Sequence, residues 1–145
     1  MEILVEKSKS NLDLAKRLQN KENNISAARL YYSVYQRICV LLNKHTLATH
    51  RQFQEEGDEV STDLLKKMKS ALSKNFGSHE KVIKALKVFI DKKVDSSSGT
   101  EYAKNIAKLQ NLREVGDYRN RHVTEDEIQT AFQLQGEIEK VFTML

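Results

Sequence analysis

The densest chemistry in the chain is the polar run Arg113-Glu114-Val115-Gly116-Asp117-Tyr118-Arg119-Asn120-Arg121-His122. Arginine holds phosphate oxygens bidentately, and a histidine that titrates near neutrality can move a proton. Arg113, Arg119 and Arg121 with His122 therefore have the makings of a phosphate-binding edge. A second role is open to the same residues. Cations at the end of a helix complement the partial negative charge of its C-terminus. Asp117 can hold an arginine in a salt bridge, and Tyr118 can pack on tyrosines elsewhere in the chain. A buried tyrosine needs a partner for its hydroxyl, a demand that the adjacent pair Tyr31 and Tyr32 raises too.

Other chemistries lack their residues. The glycines are isolated, so no phosphate-cradling glycine loop exists, and neither a Cys-x-x-Cys nor a His-Glu-x-x-His pattern is present. A Gly-x-Ser-x-Gly nucleophile elbow is missing as well. His45 and His50 lie on different faces if their segment is helical, which argues against a metal site. No cofactor is expected. Cys39 is the one cysteine. It cannot form an internal disulfide, and it reads as a small buried hydrophobe.

The elements that must position these groups are helices. Thr124 and Glu127 form a capping box, flanked by Val123 and Ile128 as a hydrophobic staple. From there Ile128, Ala131, Phe132, Gln135, Ile138, Val141, Phe142 and Leu145 recur at helical spacing. Between Ser26 and Asn43 the apolar residues cover more than half of the helix circumference, which places that helix centrally. Three further stripes follow: Leu64, Leu65, Met68, Ala71 and Leu72; then Val82, Ile83, Leu86, Phe89 and Ile90; then Tyr102, Ile106, Leu109 and Leu112. The first segment, Glu2 to Gln19, carries Leu4, Leu12, Ala15 and Leu18 on one side. Lys44 to Val60 shows no clear pattern, and Asp95-Ser96-Ser97-Ser98-Gly99 reads as a polar loop. Strand signals are absent. The expectation is an all-α, antiparallel helical bundle of five to six helices in one domain spanning residues 1–145.

With 39% hydrophobic and 30% charged residues, the chain is neither disordered nor membrane-embedded. No apolar run approaches the roughly 20 residues needed to cross a bilayer, and no signal peptide is evident, so a cytoplasmic location is the default. The net charge of +4 favours an acidic partner without identifying one.

Three pieces of the chain, in this order, resemble small bacterial members of the HEPN superfamily. Ala27-Ala28-Arg29-Leu30-Tyr31-Tyr32-Ser33-Val34-Tyr35 looks like that subfamily's Tyr-Tyr-centred helix. Thr49-His50-Arg51-Gln52-Phe53 is similar to its Thr-His-basic segment, and Leu112-Arg113-Glu114-Val115-Gly116-Asp117-Tyr118 is close to its Arg-x-x-Ala-Asp-Tyr signature, with Gly116 for alanine. The resemblance implies a bundle that dimerises, acting in RNA biology. Members of the family include metal-independent ribonucleases, partners of small nucleotidyltransferases in toxin–antitoxin pairs, and inactive binding modules.

In the nuclease members an arginine and a histidine separated by four to six residues face each other across the dimer, the arginine stabilising the phosphate and the histidine helping the ribose 2′-hydroxyl attack it. Here eight residues separate Arg113 from His122 and two separate Arg119 from His122, so that pairing does not carry over. The span from Phe53 to Arg113 looks longer than in the shortest relatives, as if one or two helices were inserted.

The favoured expectation is an RNA-associated protein of a toxin–antitoxin or defence pair. It would be a homodimer with a nucleotidyltransferase-type partner and no membrane contact, binding rather than cutting. Its nucleic-acid contacts would be Arg113, Arg119, Arg121, His50 and Arg51, with Tyr31, Tyr32, Asp117 and Tyr118 as the structural motif. The alternatives are a metal-independent ribonuclease toxin, with His122 as acid–base group and Arg113 and Arg119 as phosphate clamps, and an adaptor bundle. A loop at Gly116 would be needed to bring Arg113 and His122 together.

Overall fold

The computed structural model describes the backbone of residues 1–56, 66, 68–70 and 79–145, and the side chains of these except 47–56. Among the described residues the regular structure is all helical. Helix α1 spans Glu2–Leu18, α2 Asn23–Glu56, α3 His79–Lys93, α4 Ser96–Tyr118 and α5 Glu125–Phe142.

Helix α2 is the axis of the molecule. It contacts each of the other four helices, while α4 packs on α2, α3 and α5. Its 34 residues run for about 50 Å. The stretch after Lys44, patternless in hydrophobicity, continues this helix to Glu56. It holds no proline, and no glycine before Gly57, so nothing in it interrupts the backbone ladder.

Helices α1 and α2 form an antiparallel hairpin. The turn uses Asn20 in the left-handed region at φ 62°, a conformation asparagine tolerates. The Asn20 N–H donates to Asn23 Oδ1 at 2.7 Å. The helices approach through small residues: Ser8 Oγ donates to the Ser33 carbonyl and Ser33 Oγ to the Ser8 carbonyl, each at 2.8 Å. Farther along, Ser26 Oγ donates to the Ala15 carbonyl at 2.7 Å. These buried hydroxyls are thereby satisfied.

The Asp95–Gly99 stretch is not a loop. Asp95 is the N-cap of α4, accepting from the Ser98 N–H at 2.6 Å, and Ser96 to Gly99 form the first helical turn. Aspartate is among the best N-cap residues, which explains the short α3–α4 connection. The capping box of α5 forms as its sequence implies. Thr124 Oγ1 accepts from the Glu127 N–H, and Glu127 Oε1 from the Thr124 N–H, each at 3.1 Å. Val123 and Ile128 are both buried.

The core gathers Leu30, Tyr31, Ile38 and Leu42 of α2, Leu86 and Ile90 of α3, Tyr102, Ile106 and Leu109 of α4, and Ile128 and Ile138 of α5, with Met68. Burying each large side chain contributes roughly 1.5–3 kcal/mol. The antiparallel pairing of α2 with α4 sets the site. It brings the N-terminal part of α2 against the last turns of α4.

Candidate functional site

Three helices converge on one cluster. Helix α2 supplies Tyr31, Tyr32 and Tyr35. The rings of Tyr31 and Tyr35, one turn apart, lie nearly parallel with centroids 6.3 Å apart, and Tyr32 meets Tyr31 edge-on at 5.6 Å. Helix α4 supplies Arg113, whose guanidinium carbon stands 5.2 Å from the Tyr31 centroid and 5.0 Å from that of Tyr32. Asp117, one turn on, places Oδ2 3.3 Å from Arg113 Nε. Helix α3 supplies His79 at its first residue. Its Nδ1 lies 2.9 Å from the Tyr31 hydroxyl, and its ring stacks on Tyr35 at 3.8 Å.

The electrostatics follow from this packing. Burial raises the Tyr31 pKa to about 12, against a smaller lowering by Arg113, so the phenol stays protonated at neutral pH. Burial also raises that of Tyr35. Burial first and Arg113 second hold the His79 imidazole below its ordinary value, and the ring is neutral near pH 7. The Tyr31 hydroxyl can donate to Nδ1 of the neutral ring, which puts the imidazole proton on Nε2, or accept from Nδ1–H in the other tautomer.

The Arg113 side chain is only 14% exposed. Its Nε is buried, and Asp117 Oδ2 at 3.3 Å pairs with it as an ion without meeting hydrogen-bond geometry. No hydrogen bond joins the Nη nitrogens to a described residue. A guanidinium braced by two rings, with no described hydrogen-bond partner at its Nη nitrogens, has those donors to offer a phosphate or carboxylate bidentately.

The α4–α5 connection is a different place. His122 Nδ1 lies 3.1 Å from Asn24 Nδ2. Asn24 Oδ1 accepts from the Val123 N–H at 2.8 Å, so its Nδ2 faces the ring and can only donate. His122 Nδ1 is therefore the acceptor, and a neutral ring carries its proton on Nε2, leaving no free base nitrogen. Asn24 and the Tyr31–Tyr32 pair are two turns apart on α2, roughly 11 Å. The chain thus does not bring Arg113 and His122 together. Gly116 lies within α4 and provides no loop.

Arg121 is taken up by Glu127, with nitrogen–oxygen distances of 2.6 and 3.0 Å. This bond, aided by the capping contact with Thr124, takes the Glu127 carboxyl down to about 2. Arg119 is exposed at the C-cap of α4. Tyr118 is 73% exposed and does not pack on the α2 tyrosines, because the end of α4 turns it to solvent. Asp117 does hold an arginine, Arg113. The side chains of His50 and Arg51 lie outside the described residues.

His79 is the residue of this cluster that sequence reasoning missed. A signal was there: His79, Val82, Ile83, Leu86 and Ile90 share one helical stripe, so an imidazole stands in register with the buried face. His45 is likewise buried, at 6% exposure, with its ring 4.4 Å from that of Phe89. Among the described residues no three His, Cys, Asp or Glu side chains are grouped to hold a metal ion. No described helix is long and apolar enough to cross a membrane. Comparisons with family models, with curated proteins and with solved structures find no match.

Proposed function

We propose that this chain is a HEPN-like, RNA-associated protein that binds RNA phosphate at Arg113. It acts as a homodimeric member of a toxin–antitoxin or defence pair alongside a nucleotidyltransferase-type protein. The observation that carries the reading is the Arg113 guanidinium braced on Tyr31 and Tyr32, with no hydrogen bond from its Nη nitrogens to a described residue. It also joins two of the three sequence pieces on which the HEPN resemblance rests.

Binding is favoured over cleavage. His122, the acid–base candidate of the sequence, is bonded to Asn24 and stands apart from Arg113. Fluorescence anisotropy with a labelled single-stranded RNA tests the reading. Arg113→Gln should weaken binding about tenfold or more, the scale of a lost charge-assisted contact of roughly 1.5–3 kcal/mol. Unchanged binding by that variant would remove the site. An absence of RNA binding by the wild type at any salt would favour the adaptor reading. Light scattering at micromolar concentration tests the dimer.

One observation favours the ribonuclease alternative in altered form. The neutral imidazole near Arg113 belongs to His79, not His122. If purified protein cleaves RNA in the presence of a chelator, His79→Gln should abolish the cleavage and His122→Ala should leave it.

A further inference from the structure

We propose that His79 is the proton-coupled half of the anion site: its imidazole is neutral while the site is empty and takes up a proton when an RNA phosphate docks on Arg113, so binding tightens as pH falls. The proposal rests on the reading of Arg113 as a phosphate-binding group.

The geometry supplies the coupling. The His79 ring and the Arg113 guanidinium carbon flank the same tyrosine, 5.8 Å and 5.2 Å from the Tyr31 centroid. In the empty site the imidazole is partly buried beside a fixed cation, and both facts disfavour its charge. A phosphodiester on the Arg113 fork reverses the second of these. It cancels the cation's field and adds an attraction of its own. A group that is neutral in the free protein and charged in the complex makes binding take up a proton from solvent, by linkage.

The hydrogen bond to Tyr31 suits both states. In the neutral ring the hydroxyl can donate to Nδ1. Once Nδ1 carries a proton the same oxygen accepts it, because a hydroxyl can do either. The imidazole ring stacks on Tyr35 at 3.8 Å.

The surrounding groups do not pre-empt the role. On α2, Tyr31 and Tyr35 remain protonated phenols, and Tyr32 lies edge-on to the imidazole. On α4, Asp117 is held against Arg113, and Glu114 acts on Tyr31. On α3, Glu80 is paired with Lys84 at 2.7 Å. The ligand therefore brings the negative charge that protonates the ring. His45 and His122 have their ring partners elsewhere, Phe89 and Asn24.

The test uses the full chain and a short single-stranded oligouridine, whose diester phosphates and bases do not titrate near neutral pH. Calorimetry in two buffers of different ionisation heat counts protons taken up on binding. NMR of the histidine Cε1–H groups in the wild type follows the His79 pKa with and without RNA, and needs no variant. The expected result is uptake of up to about one proton, affinity rising up to about tenfold per pH unit as pH falls through the midrange, and a higher His79 pKa in the complex. His79→Gln should lose both the uptake and the rise of affinity with falling pH. Binding by the wild type with no proton uptake, or uptake that survives in His79→Gln, overturns the proposal and leaves Arg113 as the anion site. Equal binding by wild type and Arg113→Gln overturns the proposal together with the reading on which it rests.

Discussion

Substituting Gly116 by alanine tests how tightly α4 is pressed onto α2. A Cβ at this position would lie 2.9 Å from the Asn24 carbonyl oxygen and 3.1 Å from its Cα. Both atoms are backbone, so no side-chain rotation relieves the contact, and the helices must separate locally. Overpacking of this kind costs about 1–3 kcal/mol. Alanine's better helix propensity returns up to about 1 kcal/mol, and less in a last turn. The net expectation is a loss of roughly 1–2 kcal/mol, which lowers Tm by about 2–8 °C for a chain of this size. Gly136 is the internal control, since nothing lies within 4 Å of a Cβ built there. Gly136→Ala should stabilise by about 0.5–1 kcal/mol through propensity alone. Urea denaturation followed by far-ultraviolet circular dichroism measures both. A Gly116→Ala protein as stable as Gly136→Ala would refute the close approach, and with it the placement of Asn24 against the end of α4.

Acid should destabilise the fold. Burial lowers the pKa of His45, helped by Lys44 and Lys93, and lowers that of His79. Each ring binds a proton more readily when unfolded, so this stability is present above about pH 6.5 and is lost as pH falls through 6.5 toward the folded values. The urea midpoint should drop over that window, and a flat midpoint from pH 7.5 to 5.5 would contradict the burial of both rings. Thr124→Ala removes the side chain that accepts the Glu127 N–H, and should cost about 1 kcal/mol in the same denaturation assay. Tyr31→Phe removes the hydroxyl bonded to His79 while keeping the ring under Arg113. It should cost about 0.5–1.5 kcal/mol, leave RNA affinity at high pH near wild type, and alter the His79 titration.

Local signals carried most of the fold. The capping box at Thr124 and Glu127 and the stripes of α3, α4 and α5 involve residues within one or two turns of each other, which is the range that periodicity sees. Helix boundaries were less legible. Lys44 to Glu56 has no amphipathic pattern, yet nothing in it stops a helix. Asp95 to Gly99 reads as a loop because serine suits loops and first turns alike. Half of the candidate site could be read, and half could not. Arg113, Tyr31 and Tyr32 stand out by type and motif. His79 joins them only through a contact 48 residues away along the chain. His122 drew attention by sitting in the same run as Arg113, but their side chains turn to different partners. Tyr118 shows the same limit: the end of α4 points it to solvent.

The most direct test of the account is the salt dependence of single-stranded RNA binding by wild type and Arg113→Gln, compared at a pH where both are fully folded. If Arg113 neutralises one phosphate, the logarithmic salt slope of the variant should be shallower by about 0.7, with weaker binding at every salt concentration. Identical slopes and affinities would mean that the guanidinium between Tyr31 and Tyr32 serves packing alone and that the site is not where RNA binds.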